Sequence, residues 1–69
     1  MKNKTLKQLR ENNGLTQEQV AKETNTTVTF ISLLENGKRN ASDETKKKLA
    51  RLYRCEISDI FLALQLTQS

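Results

Sequence analysis

Residues 15–36 decide the fold: Leu15-Thr16-Gln17-Glu18-Gln19-Val20-Ala21-Lys22-Glu23-Thr24-Asn25-Thr26-Thr27-Val28-Thr29-Phe30-Ile31-Ser32-Leu33-Leu34-Glu35-Asn36. Thr16 followed three residues later by Gln19 is a capping box, with each side chain bonding the other's backbone N–H. Leu15 before the cap and Val20 after it can close as a hydrophobic staple. The spacing predicts a helix over 17–24 with Val20, Ala21 and Thr24 on its inner face. Asn25 tolerates a left-handed turn position. Thr27 then caps a second helix from Val28 to Asn36, with Ile31 and Leu34 inward and Gly37 ending it.

Outward from this unit the apolar spacing stays helical, and no segment alternates as a half-buried strand does. Leu6 and Leu9 mark a helix over 4–13, stopped by Gly14. Ser42, with Asp43 and Glu44 in the first turn, starts another whose buried stripe is Thr45, Leu49, Leu52 and Tyr53. Lys46, Lys47 and Lys48 are read as its solvated face. A fifth helix over 57–64 carries Ile57, Ile60, Phe61 and Leu64, with Phe61 and Leu64 inward. Leu62 and Leu66 are then exposed together, and residues 67–69 are expected to fray.

Composition narrows the chemistry. The chain has 69 residues, three aromatic side chains (Phe30, Tyr53, Phe61), no His and one Cys, Cys55. A domain this small buries only about 60% of its unfolded surface, which leaves no room for a large catalytic cleft. Without His, the commonest general base and transition-metal ligand are missing. A lone Cys makes neither an intrachain disulfide nor a zinc site, and Cys55 reads as a packing residue. No metal, cofactor or small-molecule ligand is expected, and no enzyme. The basic start Met1–Thr5 leads into no apolar segment, so no signal peptide is expected. The longest apolar run, Ile60 to Leu64, is far short of a membrane span. A cytoplasmic location follows as an expectation.

Charge is unevenly distributed. Residues 1–54 hold all twelve Lys and Arg and six of the eight acids, a net of +6, whereas residues 55–69 carry −2. Such a body suits a polyanion and such a tail suits protein contact.

Two short capped helices joined by a tight turn match a helix-turn-helix, here 17–36. The helices cross closely, which requires a small residue, and Ala21 stands there. "LTQEQVA" (15–21), "ISLLENGKRN" (31–40) and "SDIF" (58–61) together resemble the Cro/CI-type (Xre) family of helix-turn-helix regulators, over about residues 4–62.

That resemblance implies an all-α, five-helix, lambda-repressor-like DNA-binding domain occupying 1–69, with 57–66 as a candidate dimerisation segment. It implies a transcriptional regulator, a repressor binding a near-palindromic operator on double-stranded DNA as a homodimer. Thr27, Val28, Thr29, Ser32 and Leu33 would face bases in the major groove. Gln17, Lys38, Arg39 and Asn40 would meet phosphates. Arg10 and Glu35 match a buried ion pair tying the first helix to the third. Leu62 and Leu66 are read as the dimer seam.

Several positions depart from the family pattern: Thr24 and Thr26 for apolar residues, Asn25 for Gly, Ala41 for Pro, Lys46 for an apolar residue, and Glu56 for a better cap. Thr27 to Leu33 also contains no Arg, Lys, Asn or Gln, the side chains that grip guanine and adenine edges. Thr and Ser can offer single hydrogen bonds, and Val, Leu and Thr methyls can pack on thymine methyls. The same lack supports an alternative: a protein–protein adaptor or antirepressor on this fold with little base readout.

Overall fold

The computed structural model describes residues 4–68, with the side chains of 67 and 68 left aside. Among these residues there are five helices and no strand: α1 Leu6–Asn12, α2 Gln17–Glu23, α3 Val28–Glu35, α4 Asp43–Leu52 and α5 Ile57–Gln68. The order and type of every element follow the sequence reading, with ends shifted by a residue or two. α5 is the exception. It continues to Gln68, four residues past its expected end, so Thr67 and Gln68 are helical; Ser69 lies outside the described residues.

Each helix is started by a side chain. Thr16 and Gln19 form the expected capping box at α2, and Thr5 and Gln8 form a second one at α1 that the periodicity did not disclose. Thr27 and Ser42 cap α3 and α4 through the N–H groups of Phe30 and Thr45. Each such cap is worth about 1 kcal/mol. Glu56 makes only half of a capping box: its own N–H donates to Asp59 Oδ2 at 3.0 Å.

The ends of α1 to α4 also share one device. A residue in the left-handed region follows the cap, and the next N–H reaches back to a carbonyl five residues earlier: Leu15 to Arg10, Thr26 to Ala21, Lys38 to Leu33 and Cys55 to Ala50. The left-handed residues are Gly14, Asn25, Gly37 and Arg54. A Cβ at Gly14 would meet nothing within 4 Å, so that glycine serves its φ of +67° and not a close approach.

The core draws on every helix. Its largest fully buried side chains are Leu6 of α1, Val20 of α2, Ile31 and Leu34 of α3, Leu49 of α4 and Ile60 of α5. Burying each contributes roughly 1.5–3 kcal/mol. Ala21, Ala50 and Ala63 are also buried, and they let backbones approach where α2 meets α3 and α4 meets α5. Leu15 and Cys55 pack against this core from its edge.

Three expectations for the second half need correction. The buried stripe of α4 is Leu49, Ala50 and Tyr53, with Thr45 and Leu52 only half-buried. Phe61 is not inward but 43% exposed, because Ala63 and Leu64 take the core positions beside Ile60. Lys46 is not part of a solvated face. Its side chain is only 15% exposed, and its Nζ lies 4.2 Å from the centroid of the Phe61 ring and 4.0 Å from Asp43 Oδ1. The long aliphatic stem covers apolar surface that the missing core residue would have filled.

Candidate nucleic-acid interface

The α2–α3 turn begins with a polar pair, Thr24 and Thr26, at the two positions where the family pattern has apolar residues. Thr24 is buried; its hydroxyl lies 2.8 Å from both the Val20 carbonyl and the Thr26 hydroxyl. The two threonines satisfy each other locally, so the missing apolar groups leave no orphan hydroxyl. Asn25 takes φ +57° and turns the chain. The turn then delivers Thr27, whose Oγ1 accepts from the Phe30 N–H while its own O–H remains a donor.

Behind this turn, α3 has two unlike sides. Ile31 and Leu34 are buried. Thr27, Val28 and Thr29 are exposed at its N-terminal end, and Ser32 and Leu33 are half-buried further along. Val28 is 41% exposed, a β-branched apolar side chain at the tip of a small domain with no core to enter. These five residues form one continuous surface.

A charged network fixes the angle of α3. Arg10 of α1 meets Glu35 of α3 through two parallel bonds, Nε to Oε2 at 2.7 Å and Nη2 to Oε1 at 3.2 Å. Their side chains are 10% and 5% exposed. Arg10 Nη1 also donates to the Leu15 carbonyl at 2.9 Å, and Gln17 Nε2 donates to Glu35 Oε1 at 3.0 Å. The hydrogen bond to Glu35 pushes the Arg10 pKa above its usual value, against the opposing effect of burial. Buried side-chain polar atoms without a partner are absent among the described residues. Gln17, expected at a phosphate, is thus also tied to Glu35, a bond set by tertiary packing between residues 18 apart.

Beyond α3 the chain turns at Gly37, φ +74°, into Lys38, Arg39 and Asn40, all exposed. With Gly37 they line an open polar notch of about 290 Å³. Arg39 folds back so that its guanidinium carbon lies 5.5 Å from the Phe30 ring centroid. Asn36 closes the end of α3 by donating to the Ser32 carbonyl at 2.8 Å. Neither contact was apparent from the sequence. The cations at 38 and 39 and the exposed turn of α3 therefore flank one helix at its two ends.

Leu62 and Leu66 lie elsewhere, exposed on α5 beside Phe61. Among the described residues no cluster of Cys, Asp or Glu is arranged to hold a metal ion, and no helix is long and apolar enough to cross a membrane.

Residues 6–60 match the model of a helix-turn-helix family, a span covering most of the chain. The chain belongs to the Cro/CI-type helix-turn-helix family. It is also similar to the competence pilus inhibition repressor of Acinetobacter baylyi, 41% identical over 54 residues. That alignment covers 78% of this chain and 49% of the relative, so the chain spans about half of the relative's length. No solved structure matches. The family span runs from the start of α1 to Ile60, and Phe61, Leu62 and Leu66 fall beyond it.

Proposed function

We propose that this Cro/CI-type domain binds double-stranded DNA and acts as a transcriptional repressor. The observation that carries the reading is the outward placement of Thr27, Val28 and Thr29 at the start of α3, with Lys38 and Arg39 beyond its other end. A helix presented in this way fits the major groove, and the cations beyond its C-terminal end fit a backbone phosphate beside the groove. The name of the Acinetobacter baylyi relative supports the same reading.

In this proposal Thr27, Val28, Thr29, Ser32 and Leu33 meet base edges. Gln17, Lys38, Arg39 and Asn40 meet phosphates. A primary amide has two N–H donors; the one on Glu35 holds Gln17 in place and the other reaches out. Base readout relies on hydroxyls and methyls, so phosphate contacts and DNA shape supply much of the affinity. Leu62 and Leu66 join two copies, which sets two α3 helices about 34 Å apart on a near-palindromic site. The dimer covers its operator and excludes polymerase.

Selection of bound duplexes from a random pool, followed by salt titration, tests this. A repressor prefers its selected site over random DNA by roughly 10³ or more at one fixed salt concentration. The absence of Arg, Lys, Asn and Gln between Thr27 and Leu33 favours a second reading, an adaptor or antirepressor acting through protein contacts. Under that reading the selected and random duplexes bind alike.

A further inference from the structure

We propose that Phe30 is a positioning residue for DNA binding: its ring holds the Arg39 guanidinium in place for a backbone phosphate without itself touching the duplex. This rests on the DNA-binding reading above and adds a residue outside the contact set assigned there.

Three observations combine. Phe30 is half-buried and packs against the core, so the core fixes its ring. Arg39 lies over that ring, 5.5 Å from the centroid, although the two residues belong to opposite ends of the α3 region. Arg39 also lines the notch formed with Gly37, Lys38 and Asn40, where two cations sit side by side beyond the last turn of α3. A free arginine has many rotamers, and ordering it at an interface is costly. A guanidinium held over a ring has already lost part of that freedom. Its N–H groups lie in the plane and stay available at the edge. The aromatic contact and the phosphate contact therefore use different parts of the same group. Lys38 has no such platform, which makes Arg39 the ordered cation of the pair.

The pattern of charge and aromatic residues elsewhere supports a positional role for the ring. Aromatic residues are scarce, three in the chain, and two of them, Phe30 and Phe61, each lie under a cation. Phe61 serves Lys46, whose side chain is largely buried within the α4–α5 half. Phe30 serves Arg39 at an exposed loop, where no core need explains the cation's position.

The test is a double-mutant cycle on duplex binding with Phe30→Leu and Arg39→Ala, together with side-chain NMR of the free protein. The stack predicts upfield ring-current shifts for the Arg39 δ and ε protons, lost in Phe30→Leu. It predicts that Phe30→Leu weakens binding about two- to fivefold, the range of an exposed cation–π contact. In the Arg39→Ala background Phe30→Leu should change binding by less than about 1.5-fold, on the same principle that the ring then has no cation to hold. Phe30→Tyr keeps a ring and should keep both the shift and the affinity. Arg39→Ala should lower the slope of log affinity against log salt by about one phosphate contact.

A loss from Phe30→Leu that persists undiminished without Arg39 means that Phe30 contacts DNA or merely supports the fold, and overturns the proposal. So does the absence of the ring-current shift in the unaltered chain, a result independent of DNA. Where Phe30→Leu leaves the domain unfolded at the assay temperature, Phe30→Met replaces it in the cycle. If the unaltered chain binds no duplex, the parent reading fails and this one with it. If it binds, and Arg39→Ala weakens it while Phe30→Leu does not, only the positioning role fails.

Discussion

The two halves of this domain each keep a cation away from water, and they do it differently. In the α1–α3 half, Arg10 is held by two bonds to Glu35 and one to a carbonyl, and Glu35 is held in turn by Gln17. In the α4–α5 half, Lys46 has a ring face at 4.2 Å and a carboxylate oxygen at 4.0 Å, the outer limit of an ion pair. The first arrangement is directional. It fixes the distance and rotation of α3 relative to α1, beneath the surface proposed to meet DNA. The second is nearly non-directional, and mainly covers apolar surface. The polar network thus defines a shape, whereas the lysine fills a gap in the packing.

The largest expected effect tests the first half of that contrast. Glu35→Ala leaves the Arg10 guanidinium nearly buried without its counter-ion, and should cost roughly 3–5 kcal/mol in urea denaturation. Small domains have little more than that in reserve. The double replacement Arg10→Met/Glu35→Leu removes both charges and should recover most of the loss. If the double variant is as unstable as the single one, the network contributes more than cancellation of its own burial. A double variant that regains stability but binds DNA less well would separate the network's effect on shape from its effect on stability.

A smaller effect, of opposite sign, tests the second half. Lys46→Met keeps the stem and removes a charge that is poorly compensated. The expected gain is about 1 kcal/mol, because a cation–π contact at such a site is worth about 0.5–2 kcal/mol against the cost of keeping an ammonium from water. In a domain of this size, that raises the melting temperature by about 4–8 °C. A fall in melting temperature would mean that the Phe61 ring holds the lysine more firmly than its geometry implies, and the two halves would then be alike.

What the sequence disclosed divides along the same line. The caps at Thr16, Thr27 and Ser42 and the ends at Gly14, Asn25 and Gly37 were legible because each is a local rule, with donor and acceptor within a few residues. Val20, Ile31 and Leu34 were legible because helical spacing puts them on one face. The bond from Gln17 to Glu35, the placement of Arg39 over Phe30 and the bond from Asn13 Nδ2 to the Tyr53 carbonyl were not, since they join residues that only the folded chain brings together. Phe61 departs from its expected inward position for a related reason. Periodicity alone ranks a phenylalanine above an alanine for the interior, but where helices cross closely the smaller Ala63 fits and the ring is displaced outward. A run of three lysines such as 46–48 reads as solvent-facing, although each residue step around a helix turns the side-chain direction by about 100°, so one of the three faces inward.

The smallest effect compares the two turns that end in a non-glycine left-handed residue. Asn25 closes α2 at φ +57° and Arg54 closes α4 at φ +54°. Asn tolerates this region because its short side chain can bond locally, whereas for a long L side chain it costs roughly 1–2 kcal/mol. Replacing Arg54 by Gly relieves that strain but enlarges the entropy of the unfolded chain by about 0.5–1 kcal/mol, and removes a cation that favours the C-terminal end of α4. The net gain from Arg54→Gly should therefore be only about 0.5 kcal/mol. Asn25→Gly has less strain to relieve and the same unfolded-state cost, so it should be neutral or slightly destabilising. Parallel thermal melts rank the two. If Asn25→Gly gains more than Arg54→Gly, the α2–α3 turn is the more strained, and the half with the directional network is also the one under backbone tension.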